Sequence, residues 1–136
     1  MGGEAGAALK VLIVDDSADL RMLLSRVIER RSAGWQVVAQ AVDGREAIDA
    51  ATAHDVDLVL LDIAMPVMDG MEALPRIREA APNAVVVMLS GFPFAVAGQG
   101  ALDAGAHGYL EKTDLVKGLV PQLEKIVGAV RAGQTP

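Results

Sequence analysis

The sequence predicts an α/β fold in which a single parallel β-sheet carries helices on both faces. Five short apolar segments alternate with five segments of helical periodicity along a chain of 136 residues. Each apolar segment is nearly continuous rather than interrupted by polar residues, which is typical of strands buried on both faces. Because parallel strands need a crossover connection after each strand, the regular alternation predicts one sheet within one domain.

The five predicted strands are runs rich in β-branched and aliphatic residues. They cover residues 10–14, 35–41, 57–61, 84–89 and 108–110. The run at 84–89 has the strongest strand pattern, since three consecutive valines precede Met88 and Leu89. Trp35 begins the second strand and is interpreted as a residue that packs at the edge of the sheet.

Helices are predicted where Leu, Ile, Val or Ala recurs at a spacing of three or four residues. These stretches run from Ser17 to Gly34, from Asp43-Gly44 through Ala51, after Asp69-Gly70 through Ile77, through an Ala-rich segment to Gly105, and from Leu115 through Val130. Pro75 is expected to delay or bend the third helix, and Pro121 to kink or restart the fifth. In the fourth helix, Gly98 and Gly100 each cost about 1 kcal/mol relative to Ala.

Composition excludes several classes of function. The net charge of -6 and a pI near 4.8 argue against direct nucleic-acid binding, which needs clustered Lys and Arg. The absence of Cys excludes disulfides and thiolate chemistry. No apolar run approaches the roughly 20 residues that span a bilayer, and no signal peptide begins the chain, so a cytoplasmic location without membrane contact is predicted. Residues 1–8 and 132–136 are predicted to be tails around a domain at 9–131.

Charged and hydroxyl residues follow four of the five predicted strands. The first strand ends at Asp15-Asp16, the third at Asp62, the fourth at Ser90 and the fifth near Lys112. Taken singly, each of these residues is more often a helix cap, a turn residue or a solvated charge. The carboxyl ends of parallel strands share one edge of the sheet, however, so all five side chains are expected to converge there.

Three converging carboxylates need a cation. Two carboxylates about 4 Å apart repel each other by roughly 4 kcal/mol at an effective dielectric constant near 20. An oxygen-rich site without Cys suits Mg²⁺, which binds through a few carboxylates together with a phosphate. A carboxylate can also act as a nucleophile and form an aspartyl phosphate. Lys112 would then neutralise the phosphoryl oxygens together with the metal, and Ser90 would donate a hydrogen bond to one of them.

Four segments together resemble the receiver domains of bacterial response regulators. They are Val11-Leu-Ile-Val-Asp-Asp16, Leu58-Val-Leu-Leu-Asp-Ile63 with Met65-Pro66 and Asp69-Gly70, Leu89-Ser90-Gly91, and Gly108-Tyr-Leu-Glu-Lys112. The resemblance covers about residues 9–131 and implies a flavodoxin-like strand order of 2-1-3-4-5. It also implies a two-component signalling switch, in which a sensor histidine kinase or a phosphotransfer protein supplies the phosphoryl group. Such a domain is not an ordinary enzyme, because it catalyses only its own phosphorylation and slow dephosphorylation.

The resemblance also implies a role for each residue of the cluster. Asp62 takes the place of the phosphoacceptor, Asp16 that of a direct Mg²⁺ ligand, and Asp15 that of a ligand acting largely through water. The backbone carbonyl of Ala64 is implied as a further ligand.

Ser90 and Lys112 take the places of the hydroxyl and lysine that contact the phosphoryl group, and Tyr109 that of the aromatic switch residue. In the family this aromatic residue turns inward on phosphorylation and remodels the face made by the fourth helix, the fifth strand and the fifth helix. That face is expected to bind a downstream partner or to form a homodimer.

The sequence departs from the family pattern at three positions. Thr113 follows Lys112 where many members have a proline in a cis peptide bond. Ala64 and Phe92 occupy the two variable positions that flank the site. Neither side chain can hold an attacking water by hydrogen bonding, so slow loss of the phosphoryl group is expected.

Other functions remain open at this stage. A flavin-binding protein would need a phosphate-binding loop where Asp15-Asp16 stands, and an aspartate-nucleophile phosphatase typically carries a second Asp where Ala64 stands. A degenerate receiver acting only as a binding module would lack site residues. A receiver half of a longer DNA-binding regulator is the alternative to a stand-alone receiver, which is favoured because the chain ends soon after the last predicted helix. His54 and His107 have no partner at metal-binding spacing and are interpreted as structural or solvated.

Overall fold

The computed structural model describes residues 8–32 and 34–133, and over these ranges the chain forms five strands, five α-helices and a 3₁₀ helix. In chain order they are β1 (Lys10–Val14), α1 (Ala18–Arg31), β2 (Gln36–Ala41), α2 (Gly44–Ala53), β3 (Leu58–Leu61), α3 (Gly70–Ala80), β4 (Val85–Ser90), α4 (Phe94–Asp103), β5 (Gly108–Glu111), the 3₁₀ helix (Lys112–Lys117) and α5 (Leu119–Arg131). The strands form one parallel sheet in the order β2-β1-β3-β4-β5. The predicted fold class and strand order are therefore confirmed. Residues 1–7 and 134–136, which make up most of the two predicted tails, lie outside the described residues.

The central strands β1, β3 and β4 are buried on both faces, which explains why they are almost continuously apolar. In β1, Leu12 and Val14 point into one core, which α2, α3 and α4 cover. Val11 and Ile13 point into the other core, which α1 and α5 cover. The alternation of side chains along a strand thus divides one apolar run between two cores.

The register of the sheet places the residues after β1 and β3 side by side. Val14 pairs with Leu61 on the neighbouring strand, so the next residues along the chain, Asp15 and Asp62, are adjacent. The main-chain N–H of Asp62 donates to the carbonyl of Val14 over 3.0 Å and extends the ladder by one residue. From β1 the chain first adds β2 on one side and later β3 on the other, so this point is also where the strand order reverses.

The same register brings Ser90 and Lys112 to this edge. β4 lies next to β3, and its last residue, Ser90, pairs with Glu111 at the end of β5. Lys112 is the following residue. Since neighbouring strands lie about 4.8 Å apart, a long side chain on β5 is needed to reach back across β4 to β3.

Three helices begin at side-chain caps. Ser17 accepts from the N–H of Leu20 over 3.2 Å, Asp43 from Glu46 over 2.9 Å, and Asp69 from Glu72 over 2.8 Å. α1 ends at Arg31, earlier than the predicted boundary at Gly34. Among the described residues, no helix combines the length and apolar character needed to cross a membrane.

Proline does not delay the start of α3. The helix begins at Gly70, five residues before Pro75, so the expected delay is wrong. Pro75 is exposed, so the carbonyl that loses its intrahelical partner faces the side of the helix that water reaches.

The last predicted helix consists of two pieces. Leu115 belongs to the 3₁₀ helix, and Gly118 then adopts a φ of 96° before α5 begins at Leu119. A positive φ favours glycine because it has no Cβ. Pro121 lies in the first turn of α5, where its missing N–H would have no intrahelical partner. The restart at this point was predicted, but Leu115 does not share a helix with the later leucines.

Candidate functional site

Three carboxylates converge at the carboxyl edge of the sheet. The acidic cluster consists of Asp15, Asp16 and Asp62, and each residue offers an oxygen within 4.8 Å of those offered by the other two. Asp15 and Asp62 are only 2% and 4% exposed, whereas Asp16 is exposed. The cluster therefore has a buried floor and one carboxylate that solvent reaches.

Lys112 reaches across β4 and bridges the two buried carboxylates. Its Nζ lies 2.9 Å from Oδ2 of Asp15 and 3.1 Å from Oδ2 of Asp62. One ammonium thus offsets two negative charges that burial would otherwise leave without a counter-ion. The three carboxylates and one ammonium retain a net negative charge, which favours a divalent cation.

Main-chain N–H groups bind the remaining oxygens of the two buried carboxylates. Oδ1 of Asp62 accepts from the N–H of Ile63 over 2.8 Å, and Oδ1 of Asp15 accepts from the N–H of Ser17 over 2.9 Å. Both carboxylates are therefore held by the backbone on one side and by Lys112 on the other. Their orientation is fixed before any ligand arrives.

The charges and burial of the cluster shift the pKa values of Asp62 and Lys112. Burial, followed by repulsion from the Asp15 carboxylate, raises the pKa of Asp62 from an ordinary 3.8 to about 6, although Lys112 and the Ile63 N–H oppose the rise. Burial by itself lowers the pKa of Lys112, but its bonds to Asp15 and Asp62 outweigh burial, so the pKa is raised. Negative charge on Asp62 is thus costly here without a further cation.

Ser90 and Tyr109 are linked through the main chain of one residue. Ser90 is fully buried, and its Oγ accepts from the N–H of Phe92 over 3.0 Å. The hydroxyl of Tyr109 donates to the carbonyl of the same Phe92 over 2.7 Å. The ring of Phe94 packs edge-on against Tyr109, with ring centres 5.6 Å apart. A shift of Ser90 would therefore act on Tyr109 through the Phe92 peptide groups.

The loop after Asp62 is tightly folded. Ala64 is exposed beside the cluster. The N–H of Gly70 donates to the carbonyl of Ile63 over 2.8 Å, and a Cβ at Gly70 would overlap the carbonyl oxygen of Asp62. Val67 has a φ of 68°, and the next N–H, that of Met68, donates to the carbonyl of Pro66 over 2.7 Å, as in a strained γ-turn.

The structure thus brings Asp15, Asp16, Asp62 and Lys112 into one cluster and joins Ser90 to Tyr109 beside it. Sequence reasoning missed the N–H of Ile63 and the side chain of Arg21, whose Nη1 donates to the carbonyl of Asp15 over 2.7 Å. Main-chain donors leave no signal in a sequence. Arg21 lies one helical turn after the Ser17 cap, but nothing in its spacing distinguishes it from other arginines of α1.

His107 has a structural role, because it joins the start of β5 to β4 through two hydrogen bonds with Val86. Its ring Nδ1 accepts from the main-chain N–H of Val86 over 3.0 Å, and the main-chain N–H of His107 donates to the Val86 carbonyl over 2.8 Å. Burial, followed by the charge of Arg78, lowers the pKa of His107. His54 is the exposed C-cap of α2.

Comparison with known proteins agrees with this geometry. The family described as the response regulator receiver domain matches residues 11–122. The chemotaxis protein CheY of Thermotoga maritima is 35% identical over 117 residues, which cover 86% of this chain and 96% of that protein. The transcriptional regulatory protein PdtaR of Mycobacterium tuberculosis is 36% identical, with 94% of this chain and 61% of that protein covered.

A solved structure matches at the level of the whole fold. The response regulator domain of Thermotoga maritima CheB superposes with a TM-score of 0.81 at 33% identity, covering 92% of this chain and 98% of that one. Several curated relatives are longer proteins. This chain spans only 22% to 61% of the length of the first curated relatives that it matches. With the family match over residues 11–122, these relationships show that the chain belongs to the receiver domain family of two-component response regulators.

Proposed function

We propose that this receiver domain accepts a phosphoryl group on Asp62 in a Mg²⁺-dependent reaction and thereby switches a surface that binds a partner or a second copy. The observation that carries the proposal is the contact of Asp62 with Lys112 inside the acidic cluster. Receiver domains signal through phosphorylation and interact with histidine kinases and downstream partners. The donor here would be a phosphohistidine on a sensor kinase or a phosphotransfer protein.

The residues of the cluster fit a Mg²⁺ site. Asp16, Asp62 and the Ala64 carbonyl would bind the ion directly, and Asp15 largely through water, which is the oxygen-only set that Mg²⁺ prefers. The bound ion would neutralise charge on the phosphoryl oxygens during transfer. The exposure of Asp16 and Ala64 leaves that side of the cluster open to a phosphodonor.

The transfer itself would use groups that are already in place. A carboxylate oxygen of Asp62 attacks the phosphorus, the P–N bond to the donor histidine breaks, and the electron pair of that bond remains on the imidazole. Lys112 then shifts from the carboxylates to a phosphoryl oxygen. Ser90 would donate its hydroxyl proton to another, and a shift of its Oγ toward that oxygen would stretch the hydrogen bond that it accepts from the N–H of Phe92.

Such a shift supports a route to the switch surface. Because Phe92 binds Ser90 through its N–H and Tyr109 through its carbonyl, movement of Ser90 would change the hydrogen bond that holds Tyr109. Tyr109 lies on β5 and packs against Phe94 at the start of α4. The conformation of the face formed by α4, β5 and α5 would therefore depend on whether Asp62 is phosphorylated.

Slow loss of the phosphoryl group is the expected consequence of the flanking side chains. Ala64 and Phe92 offer no hydrogen-bonding side chain to orient an attacking water. The lifetime follows from the decay of the phosphorylated mass after the phosphodonor is removed. A lifetime of seconds would contradict this expectation.

A second candidate is the receiver part of a longer regulator, which the relationship to PdtaR favours because the chain spans 61% of that protein. The chemistry at Asp62 would be the same in both cases. The two differ in output, which would be binding of a separate partner or control of a linked domain.

The proposal is tested by incubating the protein with acetyl phosphate and Mg²⁺ and weighing it intact. The native protein is expected to gain one phosphoryl group, about 80 Da, and to gain nothing when EDTA replaces Mg²⁺. An Asp62→Asn variant should show no gain under either condition. Equal phosphorylation with and without Mg²⁺, or of the variant, would contradict the proposal.

A further inference from the structure

Arg21 ties the acidic cluster to the helix and strand beside it. It lies on α1, is half-buried, and directs its guanidinium toward the end of β1. Nη1 donates to the carbonyl of Asp15 over 2.7 Å, and Nε donates to Oε1 of Gln40 over 3.1 Å. Gln40 is in turn fixed by Ser25, whose Oγ accepts from its amide over 3.2 Å. One side chain thus connects β1, β2 and α1.

The carbonyl that Arg21 binds belongs to the peptide group between Asp15 and Asp16. Because a peptide group is planar, fixing its oxygen also fixes the direction in which the chain enters Asp16. The other side of Asp15 is already fixed, since its N–H donates to the carbonyl of Ala41 over 3.1 Å. Asp16 is exposed, and its position depends on this backbone.

We propose that Arg21 is a positioning residue for metal binding, which sets the relative placement of the Asp15 and Asp16 carboxylates by holding the peptide that joins them. The inference rests on the proposed function, because it requires Mg²⁺ to bind at the acidic cluster. Arg21 contacts neither the metal nor the phosphoryl group. It acts through the backbone of Asp15.

The sign of its effect on Mg²⁺ affinity separates this role from a simple charge effect. A guanidinium near a cation site repels the cation, so removal of its charge alone would strengthen Mg²⁺ binding. Loss of a group that orients metal ligands instead weakens metal binding, typically by about 10- to 100-fold. The two explanations therefore predict opposite changes in the same measurement.

The test is the Mg²⁺ dissociation constant, measured by isothermal titration calorimetry on folded protein. Arg21→Ala is expected to raise the constant about tenfold. Arg21→Lys keeps the positive charge and can donate hydrogen bonds, but it lacks the planar guanidinium that binds two acceptors at once, so it should raise the constant less. The matched control is Arg26→Ala, which removes the same charge from an exposed position of α1 and should change the constant by less than about twofold, because exposed charges are screened.

A second readout guards against a general loss of structure. Phosphorylation of Arg21→Ala by acetyl phosphate should need more Mg²⁺ for half-maximal rate yet approach the native rate at saturating Mg²⁺. An Arg21→Ala constant equal to or below the native one would overturn the inference. If that variant does not fold, a native constant in Arg21→Lys would overturn it equally. If the native protein binds no Mg²⁺, the proposed function is overturned as well. If the native protein binds Mg²⁺ and Arg21→Ala binds it with the same dissociation constant, only the inference is overturned.

Discussion

Replacing Asp62 by asparagine should stabilise the metal-free protein even though it removes the proposed phosphoacceptor. Asp62 is buried beside Asp15, and Lys112 is the single cation shared by the two carboxylates within the described structure. Asparagine has nearly the shape of a protonated aspartic acid and carries no charge. The variant therefore reports what the ionised form of Asp62 costs in the folded state.

The magnitude follows from the pKa of Asp62, which burial and Asp15 raise from 3.8 to about 6. One pKa unit corresponds to about 1.4 kcal/mol, so full ionisation costs up to about 3 kcal/mol of unfolding free energy. Because the folded pKa lies above the unfolded one, stability is lost as the pH rises from 3.8 to about 6. The advantage of Asp62→Asn should thus be complete at pH 7.5 and shrink to about 1 kcal/mol at pH 4.5.

The assay is urea unfolding in EDTA at both pH values, followed by circular dichroism. Asp49→Asn is the matched control, because Asp49 is exposed on α2 and should shift stability by less than about 0.5 kcal/mol. Saturating Mg²⁺ should narrow the gap between native protein and Asp62→Asn, since the ion stabilises the ionised cluster. An Asp62→Asn variant no more stable than native protein at pH 7.5, or a gap that does not depend on pH, would refute the reasoning.

Three further substitutions test other parts of the site. Lys112→Met should tighten Mg²⁺ binding, because a competing cation is removed, yet slow phosphorylation by acetyl phosphate about 100-fold; an unchanged rate would show that Lys112 does not contact the phosphoryl group. Val67→Gly should raise the unfolding free energy by about 1 kcal/mol, because Val67 is 81% exposed and its φ of 68° strains a residue that has a Cβ. A lower unfolding free energy in urea would mean that the turn is unstrained. Gly70→Ala should lower the unfolding free energy by about 2 kcal/mol or more, because its Cβ would overlap the Asp62 carbonyl; an unaltered midpoint in the same assay would mean that the loop can move aside.

The strands and the acidic cluster could be predicted because each depends on a short-range signal. The run from Val11 to Val14 is apolar on both faces, and the residue that follows it is charged. Once two such strands are parallel neighbours, their register places Asp15 beside Asp62 without any further information. The starts of α2 and α3 were likewise marked by the pairs Asp43-Gly44 and Asp69-Gly70.

Features that depend on side-chain direction or on distant neighbours could not be predicted. The bridge from Lys112 to both carboxylates depends on a rotamer that crosses β4. The bonds of Tyr109 and Ser90 to the same Phe92 join residues that are 17 and 2 positions away from it. The sequence does not distinguish Gly118 from other glycines. Its positive φ in the structure reveals that it separates the 3₁₀ helix from α5.

The identity of the phosphoacceptor tests the account most directly. Native protein would be treated with acetyl phosphate in Mg²⁺ or in EDTA and then with borohydride, which reduces an aspartyl phosphate to homoserine. Tandem mass spectrometry of the digested protein would locate the converted residue. Homoserine is expected at position 62 in the Mg²⁺ sample and not in the EDTA sample. Conversion at Asp15 or Asp16 instead, or no conversion in Mg²⁺, would contradict the claim that Asp62 receives the phosphoryl group.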